Sequence, residues 1–248
     1  MAVYKAEGIV LRARNLGEAD KILTLFTPAR GKVEAVARGA RRARSRLMGA
    51  TQLFTHGRYL LFEGKELDSL SQGEIIHSFR PLREDLERMA HASYAVELVD
   101  RSTEPGDRHD RLFLLLSAVL GLLATGSDLA LVSRYFELRL LEELGYRPHL
   151  SSCIRCGAAD IAAFSIELGG LVCPRCRVND PGAVDVGEES VSVMRYLQRA
   201  EPERLAVVRP SNAALQTMED ILPKFCAARI GRPMQSLEFL MSIRAADG

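Results

Sequence analysis

Four cysteines in two pairs are the feature that most constrains this chain of 248 residues. Cys153, Cys156, Cys173 and Cys176 follow the pattern C-x₂-C-x₁₆-C-x₂-C. Two residues between the cysteines of a pair allow both thiolates to reach one ion, and two such pairs complete a tetrahedron around Zn²⁺. Four cysteine ligands leave no open position, so the pattern predicts one structural zinc ion. The alternatives are four reduced cysteines without metal and a redox pair.

The rest of the composition is that of an ordinary globular protein. Hydrophobic residues make up 47% of the chain and charged residues 26%, so disorder is not the default expectation. The first residues lack the apolar core of a signal peptide. The most apolar run, Leu112 to Ala124, has 13 residues, whereas a membrane span needs about 20. We therefore expect a cytoplasmic protein without membrane contact, in which paired cysteines favour metal over disulfides.

Charge is distributed unevenly along the chain. Residues 1–80 contain 14 Lys and Arg against 8 Asp and Glu, whereas the remainder contains 19 basic and 24 acidic residues. A basic first part is suited to contact phosphates, and an acidic second part is better suited to contact proteins. The sequence therefore predicts separate roles for the two parts.

The first 80 residues have the pattern of short strands separated by turns. Five β-rich segments in so short a stretch favour a small closed barrel, because closure removes exposed sheet edges. The statistics fit an OB-like and an SH3-like barrel equally. The predicted strands are Ile9–Leu11, Ile22–Thr27, Val33–Ala37, Leu53–Phe62 and Leu67–Ile76.

Helical periodicity replaces the strand pattern at Pro81, since proline is favoured at the first position of a helix. Two domains are therefore predicted, a basic barrel over residues 1–80 and a helical bundle over 81–248 with a cysteine-bearing insertion at about 149–187. Pro223 should kink or split its helix. Further helices are predicted at Leu112–Ala124, Asp128–Leu144, Glu188–Arg199, Asn212–Arg229 and Pro233–Ile243.

A basic segment lies inside the predicted barrel. Between residues 30 and 46 there are seven basic residues and one acidic residue, Glu34. Small residues separate the arginines, and the guanidinium group is a planar fork that binds phosphate. A nucleic-acid site is therefore predicted, the alternative being a solvated loop without ligand. Its members are Arg30, Lys32, Arg38, Arg41, Arg42, Arg44 and Arg46, with Arg12, Arg14 and Lys21 as additions.

Motifs for catalysis are absent from the sequence. It has no Walker A lysine motif, dinucleotide-binding glycine fingerprint, H-E-x-x-H or G-x-S-x-G. The five histidines are scattered, and the acidic pairs Glu142-Glu143 and Glu219-Asp220 are interpreted as solvated helix surface. Cys226 is interpreted as a small buried hydrophobe. We expect a protein that is not an enzyme, with a nuclease as a remote alternative.

Three groups of residues carry a resemblance to a known family. Residues 7–12, 17–27, 31–32 and 38–42 resemble the N-terminal domain of the RecO family of recombination mediators. Residues 136–148 resemble its central helix, and residues 164–173 resemble its zinc segment. The resemblance extends over most of the chain in the family's order, so together the pieces are specific.

The resemblance implies a fold and a function. The N-terminal domain would be an OB-fold that binds single- and double-stranded DNA, and the protein would anneal complementary strands. With RecR it would help load RecA onto DNA coated by single-stranded DNA-binding protein, whose C-terminal tail it would contact. Residues 229–233 are a weak prediction for the rim of that contact, the alternative being a helix-ending turn. An RNA-binding zinc protein and a structural adaptor are the other hypotheses.

Overall fold

The computed structural model describes residues 2–247 and divides into two compact units. One unit is Met1–Thr125 together with Phe239–Gly248, and the other is Gly126–Glu238. The predicted change from strands to helices is present, since the barrel strands end at His77 and the first helix begins at Pro81. That change of secondary structure does not by itself define a domain boundary, so the boundary at residue 80 stays a prediction.

The first unit begins with five strands that close into a barrel. They are β1 (Val3–Leu16), β2 (Asp20–Thr27), β3 (Gly31–Ala37), β4 (His56–Phe62) and β5 (Asp68–His77). Their order is β1-β2-β3-β5-β4. All pairs are antiparallel except β3 and β5, which form a parallel ladder of three residue pairs. This is an OB-like barrel, which confirms the predicted fold class.

Strand β1 is much longer than the predicted segment Ile9–Leu11. Its first half pairs with β4 and its second half with β2, with a shift of register between Val10 and Arg12. An extra residue at such a shift bends a strand, which allows one strand to serve two neighbours in a small barrel. The exposed polar residues at both ends of β1 gave no continuous apolar pattern, so the sequence predicted only the buried centre.

Strand β4 begins at His56 rather than at Leu53 as predicted. Phe54 has a φ of 70°, which lies in the left-handed region and interrupts an extended chain. Its amide donates to the Val10 carbonyl oxygen at 3.0 Å, and its ring is buried. The aromatic residue that suggested a strand is therefore part of the turn before it.

Three helices follow the barrel within the first unit, namely α1 (Pro81–Glu84), α2 (Leu86–Ser102) and α3 (Asp110–Thr125). The sequence predicted one continuous helix from Pro81, but Asp85 has an extended backbone that separates α1 from α2. The Asp85 carboxylate accepts from the Arg88 amide at 2.9 Å and so caps α2.

Both sides of β2 are buried, which explains its apolar sequence. Leu23 and Leu25 lie in the barrel core, where Tyr59 of β4 also packs. On the opposite side, Phe26 packs against Phe113 of α3 with ring centroids 6.1 Å apart. Helix α3 therefore covers one wall of the barrel, and burial on both sides stabilises β2.

The second unit contains three longer helices and a small sheet. The helices are α4 (Leu129–Glu143), α6 (Glu188–Leu197) and α7 (Asn212–Ile230). The predicted insertion contains β6 (Ala163–Ser165), β7 (Gly170–Val172), α5 (Pro174–Arg177) and β8 (Val184–Asp185), which the sequence had not resolved into elements. A 3₁₀ helix follows at Pro202–Val207, and α8 (Gln235–Asp247) ends the described chain. No helix within residues 2–247 is long and apolar enough to cross a membrane.

Helix α7 runs without a break through Pro223. The predicted split is therefore wrong. Pro223, Leu222 and Phe225 are all buried, and burial of this apolar face offsets the backbone hydrogen bond that proline cannot donate. Tertiary packing thus overrides the local preference of the proline.

Gly31 offers a test of the barrel's attachment to the segment after α2. Its φ is +61°, and an added Cβ would lie 2.4 Å from the Asp107 carbonyl oxygen. Gly17 has a similar φ of +58° but open space around it. We expect Gly17→Ala to lower the free energy of unfolding by about 1 kcal/mol, and Gly31→Ala to lower it by at least about 2 kcal/mol more. Urea denaturation of both variants measures the difference, and equal losses would contradict this close approach.

Candidate nucleic-acid interface and four-cysteine centre

The predicted arginines after β3 lie on one segment, residues 38–46, which we call the arginine loop. Both of its flanks are fixed to the barrel, because Ala40 and Ala50 are buried in the barrel core. The Gly39 amide donates to the Asp20 Oδ1 at 2.7 Å, and the Arg41 amide donates to the Ala19 carbonyl oxygen at 2.9 Å. The loop is thus held against the turn between β1 and β2.

Successive turns shape the arginine loop between these anchors. The Arg42 amide donates to the Gly39 carbonyl oxygen at 3.1 Å, and the Ser45 amide donates to the Arg42 carbonyl oxygen at 2.9 Å. These bonds define a series of turns along the segment. Its backbone therefore limits where the guanidinium groups can point.

The side chains of the arginine loop present an uncompensated positive charge. Among residues 2–247, none of its five arginines forms an ion pair with a carboxylate. Arg41 donates from Nη1 to the Gly17 carbonyl oxygen at 2.9 Å. All five are exposed, namely Arg38, Arg41, Arg42, Arg44 and Arg46.

Lys21, an addition to the predicted site, lies beside this charge. Its Nζ donates to the Thr51 carbonyl oxygen at 3.3 Å. Burial lowers the pKa of Lys21, and the positive charge of Arg41 lowers it further. Like charges therefore crowd this end of β2.

Arg30 and Lys32 lie apart from the arginine loop, at the opposite end of β3. The seven residues of β3 span about 20 Å. Arg30 Nη1 donates to Glu63 Oε1 at 2.8 Å. Lys32 Nζ donates to the Asp100 carbonyl oxygen at 2.6 Å and lies 3.5 Å from its Oδ1. The structure therefore brings five of the seven predicted residues together and pairs the other two with carboxylates.

Two further predicted additions are also paired. Arg12 Nε lies 3.3 Å from Asp100 Oδ2. The Nη2 atoms of Arg12 and Arg14 each lie 4.0 Å from Glu34 Oε1. Asp100 is buried, so its two cationic partners offset the cost of placing a carboxylate there. Arg12 and Lys32 thus help to hold α2 on the barrel.

A cleft of about 520 Å³ lies on the barrel beside Arg30. The Tyr4 ring lines it, with the Arg30 guanidinium carbon 3.8 Å from the ring centroid. The Tyr4 hydroxyl donates to Asp68 Oδ2, and burial together with this carboxylate raises the pKa of Tyr4. The contact between Tyr4 and Arg30 was not predicted. The two residues meet only through strand pairing, so no local signal in the sequence marked it.

The four cysteines of the second unit come together as their spacing predicts. Their Sγ atoms all lie within 4.8 Å of one another. The Sγ atoms of Cys156 and Cys173 are 3.7 Å apart, and sulfur atoms around a tetrahedral ion with metal–sulfur bonds of ~2.3 Å are about 3.8 Å apart. The four residues can therefore hold a metal ion without rearrangement of the chain.

Two tight turns position these thiols. The Gly157 amide donates to the Cys153 carbonyl oxygen at 2.8 Å, and the Arg177 amide donates to the Cys173 carbonyl oxygen at 2.9 Å. Gly157 has a φ of 75°, a conformation that glycine adopts readily. Burial raises the pKa of Cys153, but backbone hydrogen bonds lower it more, to about 6. The backbone thus favours the thiolate form of Cys153, which is the form that binds metal.

Other side chains near the cysteines have different roles. His149 bonds Ser152 and Ser151 through Nε2, at 3.1 Å each, and is not part of the cysteine cluster. Cys226 is buried, as predicted, and burial raises the pKa of its thiol. Arg229 Nη2 donates to the Glu167 carbonyl oxygen at 2.7 Å, and Gly231 ends α7 with a left-handed φ of 69°. Residues 229 and 230 are therefore the end of α7, and Arg229 is bound to the connection between β6 and β7. The rim at residues 229–233 stays a prediction.

Comparisons with known proteins cover nearly the whole chain. Residues 1–79 match the family model for the N terminal of recombination protein O, and residues 83–238 match the model for its C terminal. The DNA repair protein RecO of Symbiobacterium thermophilum is 44% identical over 99% of this chain and 100% of its own length. That of Pelotomaculum thermopropionicum is 40% identical over 97% of this chain and 94% of its own length. The chain therefore belongs to the RecO family of DNA repair proteins and has a role in recombinational repair.

Proposed function

We propose that this protein is a non-catalytic recombination mediator of the cytoplasm that binds single- and double-stranded DNA and anneals complementary strands. With RecR it would help load RecA onto DNA coated by single-stranded DNA-binding protein, and it would contact that protein's C-terminal tail. The observation that carries the DNA-binding part is the arginine loop, with five exposed arginines on a hydrogen-bonded backbone. RecR, RecA and the tail rest on family membership alone.

The arginine loop would act through the phosphate backbone. Each guanidinium that meets a phosphate releases condensed counterions, which favours binding at low salt without regard to sequence. Arg38, Arg41, Arg42, Arg44 and Arg46 would supply these contacts. Arg30 and Lys32 would add less, because Glu63 and Asp100 already offset their charges. Such binding suits a mediator that must act on any sequence.

Annealing would follow from the same electrostatics without covalent chemistry. Two complementary strands repel each other because both backbones are negatively charged. A dense positive loop would lower this repulsion while two strands approach, and base pairing would then supply the free energy of the duplex. The protein would thus accelerate annealing by neutralising charge and by raising the local concentration of DNA.

The four cysteines would hold one structural Zn²⁺ ion. The ion would supply folding free energy to a segment whose own apolar cluster is small, with Cys153, Ala163, Val172, Cys173 and Ala183 as its buried members. Four thiolate ligands would leave no position for water or substrate, so the site would have no catalytic role. The chain's own contacts, such as Phe164 on Phe225 with ring centroids 5.5 Å apart, would attach the zinc segment to α7.

The arginine loop can be tested by a salt titration. We expect the triple variant Arg41→Ala, Arg42→Ala and Arg44→Ala to bind fluorescent single-stranded DNA more weakly. The slope of log affinity against log salt should fall by about 2 in magnitude, because each lost phosphate contact removes about 0.7. The annealing rate of complementary fluorescent strands should fall with it.

A matched control removes the same charge elsewhere in the first unit. Arg58, Arg80 and Arg108 are exposed and paired with carboxylates, so their replacement by alanine should leave the salt slope nearly unchanged. Equal slopes for the loop variant and the wild type would contradict the proposed site. Absence of DNA binding by the wild type would favour an adaptor, and preference for structured RNA would favour an RNA-binding protein.

The metal can be tested by elemental analysis and thermal unfolding. We expect one zinc ion per chain in the purified protein, and its loss after replacing Cys173 and Cys176 by serine. The melting temperature should then fall by about 5 °C or more, because zinc that binds only the folded chain stabilises it. Cys226→Ala lies outside the cluster and should retain the ion. A double-serine variant with full zinc content and unchanged melting temperature would contradict the assignment.

A further inference from the structure

Arg30 differs from the arginines of the loop in the way that its guanidinium is held. Its guanidinium carbon lies 3.8 Å from the centroid of the Tyr4 ring, so one planar face rests on an aromatic surface. Its Nη1 donates to Glu63 Oε1 at 2.8 Å. One face and part of the donor edge are therefore already used by the protein.

Tyr4 is itself fixed as a support. Its hydroxyl donates to Asp68, which anchors the ring to β5 while the backbone belongs to β1. The carboxylates of Glu63 and Asp68 thus position the guanidinium and the ring respectively. The plane of Arg30 is set by contacts with two separate parts of the barrel, Tyr4 on β1 and Glu63 after β4.

The outer face of Arg30 remains available to a ligand. The side chain is 48% exposed despite these contacts, and it lines the cleft of about 520 Å³. Glu34, Glu66 and Asp68 also line the cleft. Arg12 and Lys32 line it as well, but both are paired with Asp100. The carboxylates can accept hydrogen bonds from the N–H groups of a nucleobase.

We infer that the outer face of the Arg30 guanidinium, supported from behind by Tyr4, is a stacking platform for a nucleobase of single-stranded nucleic acid. Bases stack on aromatic rings and on guanidinium planes, and such stacking tolerates any base. This inference rests on the proposed binding of single strands and deepens it. Arg30 would contribute through its plane, whereas the arginine loop would contribute through its charge.

The distance between the two sites fits one continuous strand. The arginine loop and Arg30 lie at opposite ends of β3, about 20 Å apart. A stacked strand covers this length with about six nucleotides at a rise of 3.4 Å each. One OB fold typically contacts about 4 to 16 nucleotides. A strand bound along β3 would therefore reach both sites.

Replacement of Arg30 by lysine separates the two ways in which an arginine can bind. Arg30→Lys keeps the positive charge and a partner for Glu63, but it removes the plane. The probes are a 16-nucleotide fluorescent single strand, an abasic strand of the same length and a duplex. We expect Arg30→Lys to weaken binding of the base-bearing single strand about tenfold. Its affinity for the abasic strand and the duplex should equal that of the wild type, and its salt slope should be unchanged.

Arg58→Lys is the matched control, because Arg58 is an exposed barrel arginine paired with Glu74 at 3.9 Å. It should bind all three probes as the wild type does. Circular dichroism establishes that both variants are folded, and the abasic strand reports an intact backbone site in the same proteins. A folded Arg30→Lys that binds the base-bearing strand like the wild type would overturn the platform.

A second outcome would also overturn the platform. If Arg30→Lys lost affinity equally for base-bearing and abasic strands, Arg30 would contact the backbone rather than a base. Both outcomes leave the proposed function intact, because the wild type still binds DNA through the arginine loop. Failure of the wild type to bind any of the three probes would instead overturn the proposed function and the platform with it.

Discussion

Burial of Ala40 and Ala50 in the barrel core is the contact on which the proposed interface depends. These residues are 0% and 1% exposed and bracket a segment with four closely spaced arginines. Like charges repel one another, and a segment without anchors would spread them apart in solvent. The two alanines, with the hydrogen bonds from Gly39 and Arg41, keep the charges on one small surface. The free-energy cost of ordering this surface is therefore largely covered during folding, before a ligand binds.

The second unit also contains an irregular segment that must be held in place, but its contacts are of a different kind. Residues 149–187 contain too few apolar side chains for a core of their own, and two pairs of cysteines lie where an ion can hold the turns together. Phe164 and Arg229 add contacts between this segment and α7, through an aromatic pair and through hydrogen bonds to carbonyl oxygens. Apolar packing of two alanines thus fixes the arginine loop, and the proposed metal ligation fixes the four-cysteine segment. Both segments are short, irregular and poor in apolar residues.

Patterns in the sequence predicted those elements that depend on residues near one another in the chain. The spacing of the cysteines predicted a cluster, and short β-rich segments separated by turn residues predicted a small closed barrel. Features that depend on distant partners were missed. The chain break at Asp85, the left-handed Phe54 and the unbroken helix through Pro223 each reflect tertiary packing or hydrogen bonds that override a local preference.

The same distinction applies to the candidate site. Composition alone identified the arginine loop, because a run of arginines among small residues cannot form a core. It could not show that Lys32 and Arg12 meet the buried Asp100, or that Arg30 rests on Tyr4. Those partners are far apart in sequence and meet only when the barrel closes. Whether a basic residue binds a ligand or its own fold was therefore beyond prediction from sequence.

Hydrogen–deuterium exchange with and without a saturating single strand tests the central claim most directly, because it locates the contact on the unmodified protein. We expect peptides that cover residues 38–46 to exchange more slowly when DNA is bound, and peptides that cover residues 163–177 of the second unit to exchange as before. Slower exchange confined to the second unit, with no change in the arginine loop, would contradict the account.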